Sequence, residues 1–203
     1  MIILYIHGLG FGKYSSTPQR LREALPRAEV LSPEIPINPR EAMVFLEENF
    51  LKDTSIDLVM GSSLGGFYSL LLKPHKKILA NPALFADEDI AQGIGLGEQE
   101  FLCEREDGAK TYMIDEGFME GLRAIRRRIY EADPLRPGLP EQEQVKNTWA
   151  IFADHDELLS HHDDFCRIFD PAHALRMEGE HRLSEENLRQ DVLPLIEKIL
   201  GEV

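Results

Sequence analysis

Two cysteines in 203 residues leave almost nothing from which to build a disulfide framework. Cys103 and Cys166 sit in no pairing or nucleophile pattern and read as free thiols of a reducing cytoplasm. Long apolar runs are missing too: nothing approaches the roughly 18 consecutive apolar residues of a membrane-spanning helix, so no membrane insertion is expected. The apolar start, residues 1–6, is too short for a signal h-region and lacks a basic n-region. Cations are scarce. Lys and Arg total 22 against 36 Asp and Glu, a formal charge of −14. Such a surface repels phosphate backbones and anionic membranes, which argues against a nucleic-acid partner. Internal repeats and low-complexity tracts are absent as well. What remains is an ordinary globular composition, 43% hydrophobic and 29% charged. Its length suits one domain able to bury a core without disulfides or metals.

Six short apolar runs read as buried parallel strands: 2–6, 29–31, 58–60, 77–80, 148–153 and 174–177. Helical segments alternate with them. Thr17-Pro18 predicts a helix start, with Thr17 as N-cap and Pro18 at the first helical position, running through Leu25. Asn38-Pro39 has the same grammar, and Glu41 completes a capping-box-like start. Ser184 with Glu185 and Glu186 opens a last helix with a stripe of Leu188, Val192, Leu195, Ile196 and Ile199, in which Pro194 predicts a kink or break. This alternation implies an open, mostly parallel sheet of about six strands, covered on both faces. Ligands of such sheets bind beyond the carboxyl ends of the strands. Between the fourth and fifth strands lie about 67 residues, far more than a crossover needs. The segment 84–147 therefore reads as an insertion within a single domain, either a lid over the active-site edge or a long crossover helix, 117–130, with ordered loops.

Gly61-Ser62-Ser63-Leu64-Gly65 is the most informative stretch. It is G-x-S-x-G between a predicted strand and a predicted helix, the setting of a nucleophile elbow. Side chains two residues to either side of the nucleophile would collide in so tight a turn, and glycine has none. The frame singles out Ser63; Ser62 is off-centre. Serine needs a base, and the base an orienting carboxylate, in the chain order Ser, Asp/Glu, His. Of seven histidines, His181 follows the last strand and precedes the last helix. His7 precedes the serine, His75 follows the elbow helix too closely, and His173 lies at the wrong end of a strand. The carboxylate should follow strand five, where Asp156 is preferred to Asp154 because it lies in the turn beyond the strand. Oxyanion donors are expected from the backbone N–H of Leu64 and, in the loop His7-Gly8-Leu9-Gly10, from that of Leu9, with His7 pinning the loop.

Rival readings are weaker. Gly8-Leu9-Gly10-Phe11-Gly12-Lys13 fits neither a dinucleotide fingerprint nor a P-loop, and Gly93-Ile94-Gly95-Leu96-Gly97 has no strong strand before it. His155, Asp156, His161, His162, Asp163 and Asp164 could gather a metal, but their spacing matches no standard ligand pattern. Asp163-Asp164 more naturally start a helix. Arg123, Arg126, Arg127 and Arg128 read either as a solvated, ion-paired helix face or as a receptor for an anionic part of a substrate.

The chain resembles the small bacterial YqiA-type esterases of the α/β-hydrolase superfamily. The resemblance is carried by Leu4-Tyr5-Ile6-His7-Gly8, Leu31-Ser32-Pro33-Glu34-Ile35-Pro36, Asp57–Tyr68 around the elbow, and Ala80-Asn81-Pro82-Ala83. It continues through Asp156-Glu157-Leu158-Leu159 and Gly179-Glu180-His181. It implies an α/β-hydrolase fold and a triad of Ser63, Asp156 and His181 that cleaves acyl esters or thioesters of small molecules without a cofactor. Residues 84–147 match loosely, and Asp154-His155 stand where that family shows small residues, so acyl preference does not transfer. The alternative is a binding or scaffolding protein that keeps the fold and has no catalysis. Oligomeric state is not written in the sequence.

Overall fold

The computed structural model describes residues 1–131 and 138–201. Six strands form one sheet: β1 (Ile2–Ile6), β2 (Glu29–Leu31), β3 (Leu58–Ser62), β4 (Lys77–Ala80), β7 (Thr148–Ala153) and β8 (Ala174–Met177). Their order is β2-β1-β3-β4-β7-β8 and every pairing is parallel. All six are those expected from the apolar runs, with β3 two residues longer.

Side chains alternate across the sheet with the period of two that a strand imposes. Ile3 and Tyr5 of β1, Leu58 and Met60 of β3 and Ile78 of β4 face one buried layer. That layer is closed by Leu21 of α1 (Ser16–Ala24) and by Leu195 and Ile196 of α9 (Leu193–Leu200). Leu4 and Ile6, Val59 and Leu79 face the opposite layer. There they meet Leu46 of α2 (Pro39–Phe50) and Leu122, Ile125 and Ile129 of α5 (Glu116–Tyr130). A sheet buried on both faces is why the strands read as continuous apolar runs.

Capping chemistry sets several boundaries. Asn38 caps α2, its side-chain oxygen accepting from the amides of Arg40 (2.9 Å) and Glu41. Ser184 caps α8 (Glu185–Asn187) in a reciprocal box with Asn187 rather than with a glutamate. α1 differs from expectation: it starts at Ser16, with Ser15 rather than Thr17 in the cap position. The break expected at Pro194 takes the form of a π segment, Leu188–Val192, between α8 and α9. Proline has no N–H to give to the helix before it, so the helical register changes one residue ahead.

The long connection between β4 and β7 holds both helices and a small hairpin. α4 (Ala86–Gly93) and α5 are layer helices, and α5 packs on α2 and α4. Between them lies an antiparallel hairpin, β5 (Gly97–Glu100) and β6 (Thr111–Ile114), which the sequence did not announce. β5 reads Gly-Glu-Gln-Glu, with little apolar content to mark a strand. Residues 132–137 of this connection lie outside the described residues.

Candidate active site

β3 ends at Ser62, and α3 (Leu64–Ser69) starts two residues later. Ser63 alone makes the turn, at φ 54° and ψ −121°. A positive φ in a residue with a Cβ is strained and persists only where the surroundings impose it. The glycines explain how. An added Cβ at Gly65 would lie 2.0 Å from the carbonyl oxygen of Ile6, and one at Gly61 would lie 2.3 Å from that of Gly65. Neither position admits any other residue without moving backbone. Gly8 likewise lets the loop after β1 approach: its Cβ would sit 3.2 Å from the Ser62 carbonyl oxygen and 3.3 Å from the Cβ of Ser63.

Asp156 follows β7 and His181 follows β8, so both hang from the carboxyl edge of the sheet, as Ser63 does. The ring nitrogen Nδ1 of His181 lies 2.7 Å from Oδ2 of Asp156. The second carboxylate oxygen accepts from the amides of Leu158 (2.9 Å) and Leu159 (3.0 Å). The Asp156 side chain is 4% exposed. Burial alone would raise its pKa, but the His181 hydrogen bond and the Leu159 and Leu158 amides together hold it below the usual carboxylate range. An ionised carboxylate only accepts, so Nδ1 carries the proton and Nε2 is left for another partner. Ser63 and His181 line one cavity of about 310 Å³. The Ser63 hydroxyl makes no hydrogen bond to another described residue.

Asp154, the other carboxylate considered, is turned to an exposed ion pair with Arg176 (3.0 Å). His7 is 6% exposed. Its Nδ1 lies 3.1 Å from the Gly8 carbonyl oxygen, and its Nε2 accepts from the Ile35 amide at 3.2 Å. Burial pushes its pKa below the ordinary value despite the Gly8 hydrogen bond, which fits a neutral ring that ties the Gly8 loop to the chain after β2. Leu9 lines the cavity. Leu64 is the first residue of α3, so its N–H is one of the amides that a helix start leaves without an internal partner.

Several supports lay beyond the sequence reading. Asn81, after β4, is 2% exposed and has φ 45°, a conformation that Asn tolerates. Its Nδ2 donates to the carbonyls of Glu180 (3.2 Å) and His181 (2.9 Å), and its Oδ1 accepts from the Ala153 amide (2.7 Å). One side chain thus joins the ends of β4 and β7 to the backbone of His181. The connection between β5 and β6 is docked by Arg105, 4% exposed, whose Nη1 donates to Glu34 Oε1 at 2.6 Å and whose Nη2 and Nε reach Asp107. Leu102 N–H donates to the Gly10 carbonyl (2.6 Å), and Gly12 N–H to the Cys103 sulfur (3.1 Å). The hairpin is therefore fastened to the same loop that carries Gly8, and its Gln99, Glu100, Leu102 and Tyr112 form part of the cavity wall.

The remaining sequence candidates go elsewhere. His161 lies between Asp89 and Asp164, 2.9 Å from each; His162 pairs with Asp163 and His155 with Glu178. Among the described residues no group of three or more His, Cys, Asp or Glu is placed to hold a metal ion. Of the basic cluster, Arg126 pairs with Asp87 and Glu88, Arg123 with Glu116 and Arg128 with Glu47. None of the four lines the Ser63 cavity; three are ion-paired on the helix face, and Arg127 has no carboxylate partner among the described residues. Among the described residues no helix is long and apolar enough to cross a membrane.

The parallel sheet, the strained serine turn and the Asp–His pair at its carboxyl edge define an α/β-hydrolase fold. Solved structures agree. Est1E from Butyrivibrio proteoclasticus superposes with a TM-score of 0.63 at 12% identity, over 99% of this chain and 88% of that one. The methylesterase MES16 from Arabidopsis gives 0.60 at 14% identity, over 98% and 99%. Mouse alpha/beta hydrolase domain-containing protein 10 gives 0.62 at 16% identity, over 98% and 90%. A comparison with curated protein sequences finds no match. The chain belongs to the uncharacterised protein family UPF0227, the YqiA-type family, whose model matches residues 2–196.

Proposed function

We propose that this protein is a serine hydrolase that cleaves acyl esters or thioesters of small molecules. The observation that carries the reading is the hydrogen bond between Asp156 and His181, which lines the same cavity as Ser63. With Nδ1 committed to Asp156, the Nε2 of His181 takes the proton of Ser63 as the hydroxyl attacks the acyl carbonyl. The amides of Leu9 and Leu64 receive the oxyanion. Collapse of the tetrahedral intermediate expels the alcohol or thiol, which takes its proton from His181. Water activated by the same imidazole then hydrolyses the acyl-enzyme. Every step uses groups of the chain itself, so the reaction calls for no cofactor. The hairpin serves as a lid on a single domain working in the cytoplasm. One neighbour in fold carries the name methylesterase, which is in keeping with this chemistry.

A fluorophosphonate probe tests the reading. Labelling that disappears in Ser63→Ala and persists in Ser62→Ala, with turnover of a p-nitrophenyl ester, is the expected result. A folded protein that neither labels nor turns over any ester in a panel of chain lengths is a binding protein on this fold, and the proposal is then wrong.

A further inference from the structure

Three groups in the lining of the Ser63 cavity lack polar partners among the described residues. The first is the start of α1. Ser15 holds the cap position, yet its side chain makes no capping hydrogen bond. Pro18 fills the third helical position and has no N–H to offer it. The amides of Ser16 and Thr17 donate to no other described residue, and no acid stands in the first turn. A helix start with free amides and no carboxylate is receptive to a negative charge.

The second group is the Ser15 hydroxyl. Ser15 is 7% exposed, lines the cavity, and its Oγ is buried without a hydrogen-bond partner among the described residues. Leaving such a group unpaired costs free energy that an arriving acceptor recovers. The third is Arg182, the neighbour of His181. It lines the same cavity, with its guanidinium 5.2 Å from the ring centroid of Phe11. No carboxylate among the described residues pairs with it, although the chain has 36 acidic residues. Arg105, Arg123, Arg126 and Arg128 have such partners; Arg27 and Arg127 do not, but neither lines this cavity. Arginine over an aromatic face with its donors unspent is suited to a carboxylate or phosphate.

We infer that the substrate carries an anionic end, a carboxylate or phosphate, seated on the Arg182 guanidinium, the Ser15 hydroxyl and the amides of Ser16 and Thr17. This rests on the hydrolase reading above and names the substrate class for it. The sequence-based receptor, the 123–128 arginines, is replaced by a single cation beside the histidine. Glu100, exposed on β5, is the one acidic residue in the cavity wall among the described residues, and an anionic end must seat away from it.

Two readouts test this. In the first, p-nitrophenyl butyrate is compared with mono-p-nitrophenyl succinate, and phenyl butyrate with 4-carboxyphenyl butyrate, which place the anion on the acyl and the alcohol side. In one pair the anionic ester should have kcat/KM about tenfold higher, the scale of one charge-assisted hydrogen bond, and Arg182→Ala should bring that ratio to about one. In the second, calorimetry on the Ser63→Ala protein compares monomethyl succinate, methyl phosphate and methyl butyrate. One anion should bind about tenfold tighter than the neutral ester, and which one it is separates carboxylate from phosphate. Adding Arg182→Ala should remove the difference, and Arg182→Lys should restore part of it. An anion advantage absent from both readouts, or one that survives Arg182→Ala, overturns the inference. Turnover of neutral esters alone would leave the hydrolase reading standing, whereas anion binding without turnover or probe labelling would remove that reading and keep the site.

Discussion

His181 and Asp156 are joined by a 2.7 Å hydrogen bond across 25 positions of chain, and the carboxylate that accepts it is held in turn by two backbone amides. The aspartate is thus fixed on both oxygens before any substrate arrives. Asp156→Asn keeps the shape but offers the ring an amide in place of an acceptor that can only accept. Ester turnover should fall by about 10³–10⁴ in kcat. A circular dichroism spectrum and melting curve close to wild type would show that orientation of the imidazole, rather than folding, was lost. An Asn variant within about tenfold of wild type would remove Asp156 from the reaction.

Gly65→Ala places a methyl group 2.0 Å from one backbone oxygen and 2.6 Å from another, both at the end of β1. Neither atom belongs to a side chain that can swing away. The variant should lose about 3 kcal/mol or more of stability in a urea titration. Gly93→Ala, where an added Cβ meets nothing within 4 Å, is the control and should unfold near the wild-type midpoint.

Arg105 and Glu34 form a nearly buried pair that fastens the hairpin connection to the chain after β2. Arg105→Met strands the Glu34 carboxylate, and destabilisation of about 3–5 kcal/mol is expected. Adding Glu34→Gln should recover part of that loss. A double-mutant cycle in denaturant measures the coupling, and strict additivity would mean that the pair does not act as a unit.

His161 bridges α4 to α7 (His162–Ile168) through two carboxylates. Burial alone would lower its pKa, but hydrogen bonds to Asp89 and Asp164 outweigh that and raise it above the ordinary value of 6.5. A raised folded pKa means that the imidazolium stabilises the fold fully below about 6.5 and that this is lost as pH rises through the folded value. The stability difference between wild type and His161→Ala should therefore be largest near pH 6 and shrink toward about pH 9 in melting curves. A difference that grows with pH would show that the ring is neutral in the native state.

The elements that positioned the site were legible because each is dictated locally. Buried parallel strands must be apolar on both faces, so β1 through β8 of the main sheet stood out as runs. The serine turn must be flanked by glycines, and Asn38 and Ser184 announce helices by their own hydrogen-bonding chemistry. What stayed hidden depends on contacts between distant residues. Asn81 acts on the backbone of residues 180 and 181, and nothing in its neighbourhood but a following proline hints at this. Arg105 lies 71 positions from Glu34, and Ser15 and Arg182 meet one cavity from opposite ends of the chain. The β5–β6 hairpin escaped because its first strand is polar. Its apolar anchorage comes from the second strand, where Tyr112 and Ile114 are buried in the core, together with the docking contacts of the connection.

The proline after Asn81 has one more effect. Asparagine side chains commonly lose ammonia over time when the next backbone nitrogen closes on them to form a cyclic imide. The ring nitrogen of Pro82 carries no hydrogen and blocks that route. The new negative charge would otherwise have faced the two carbonyl oxygens that now receive the amide, so this corner of the molecule is protected against that loss of ammonia.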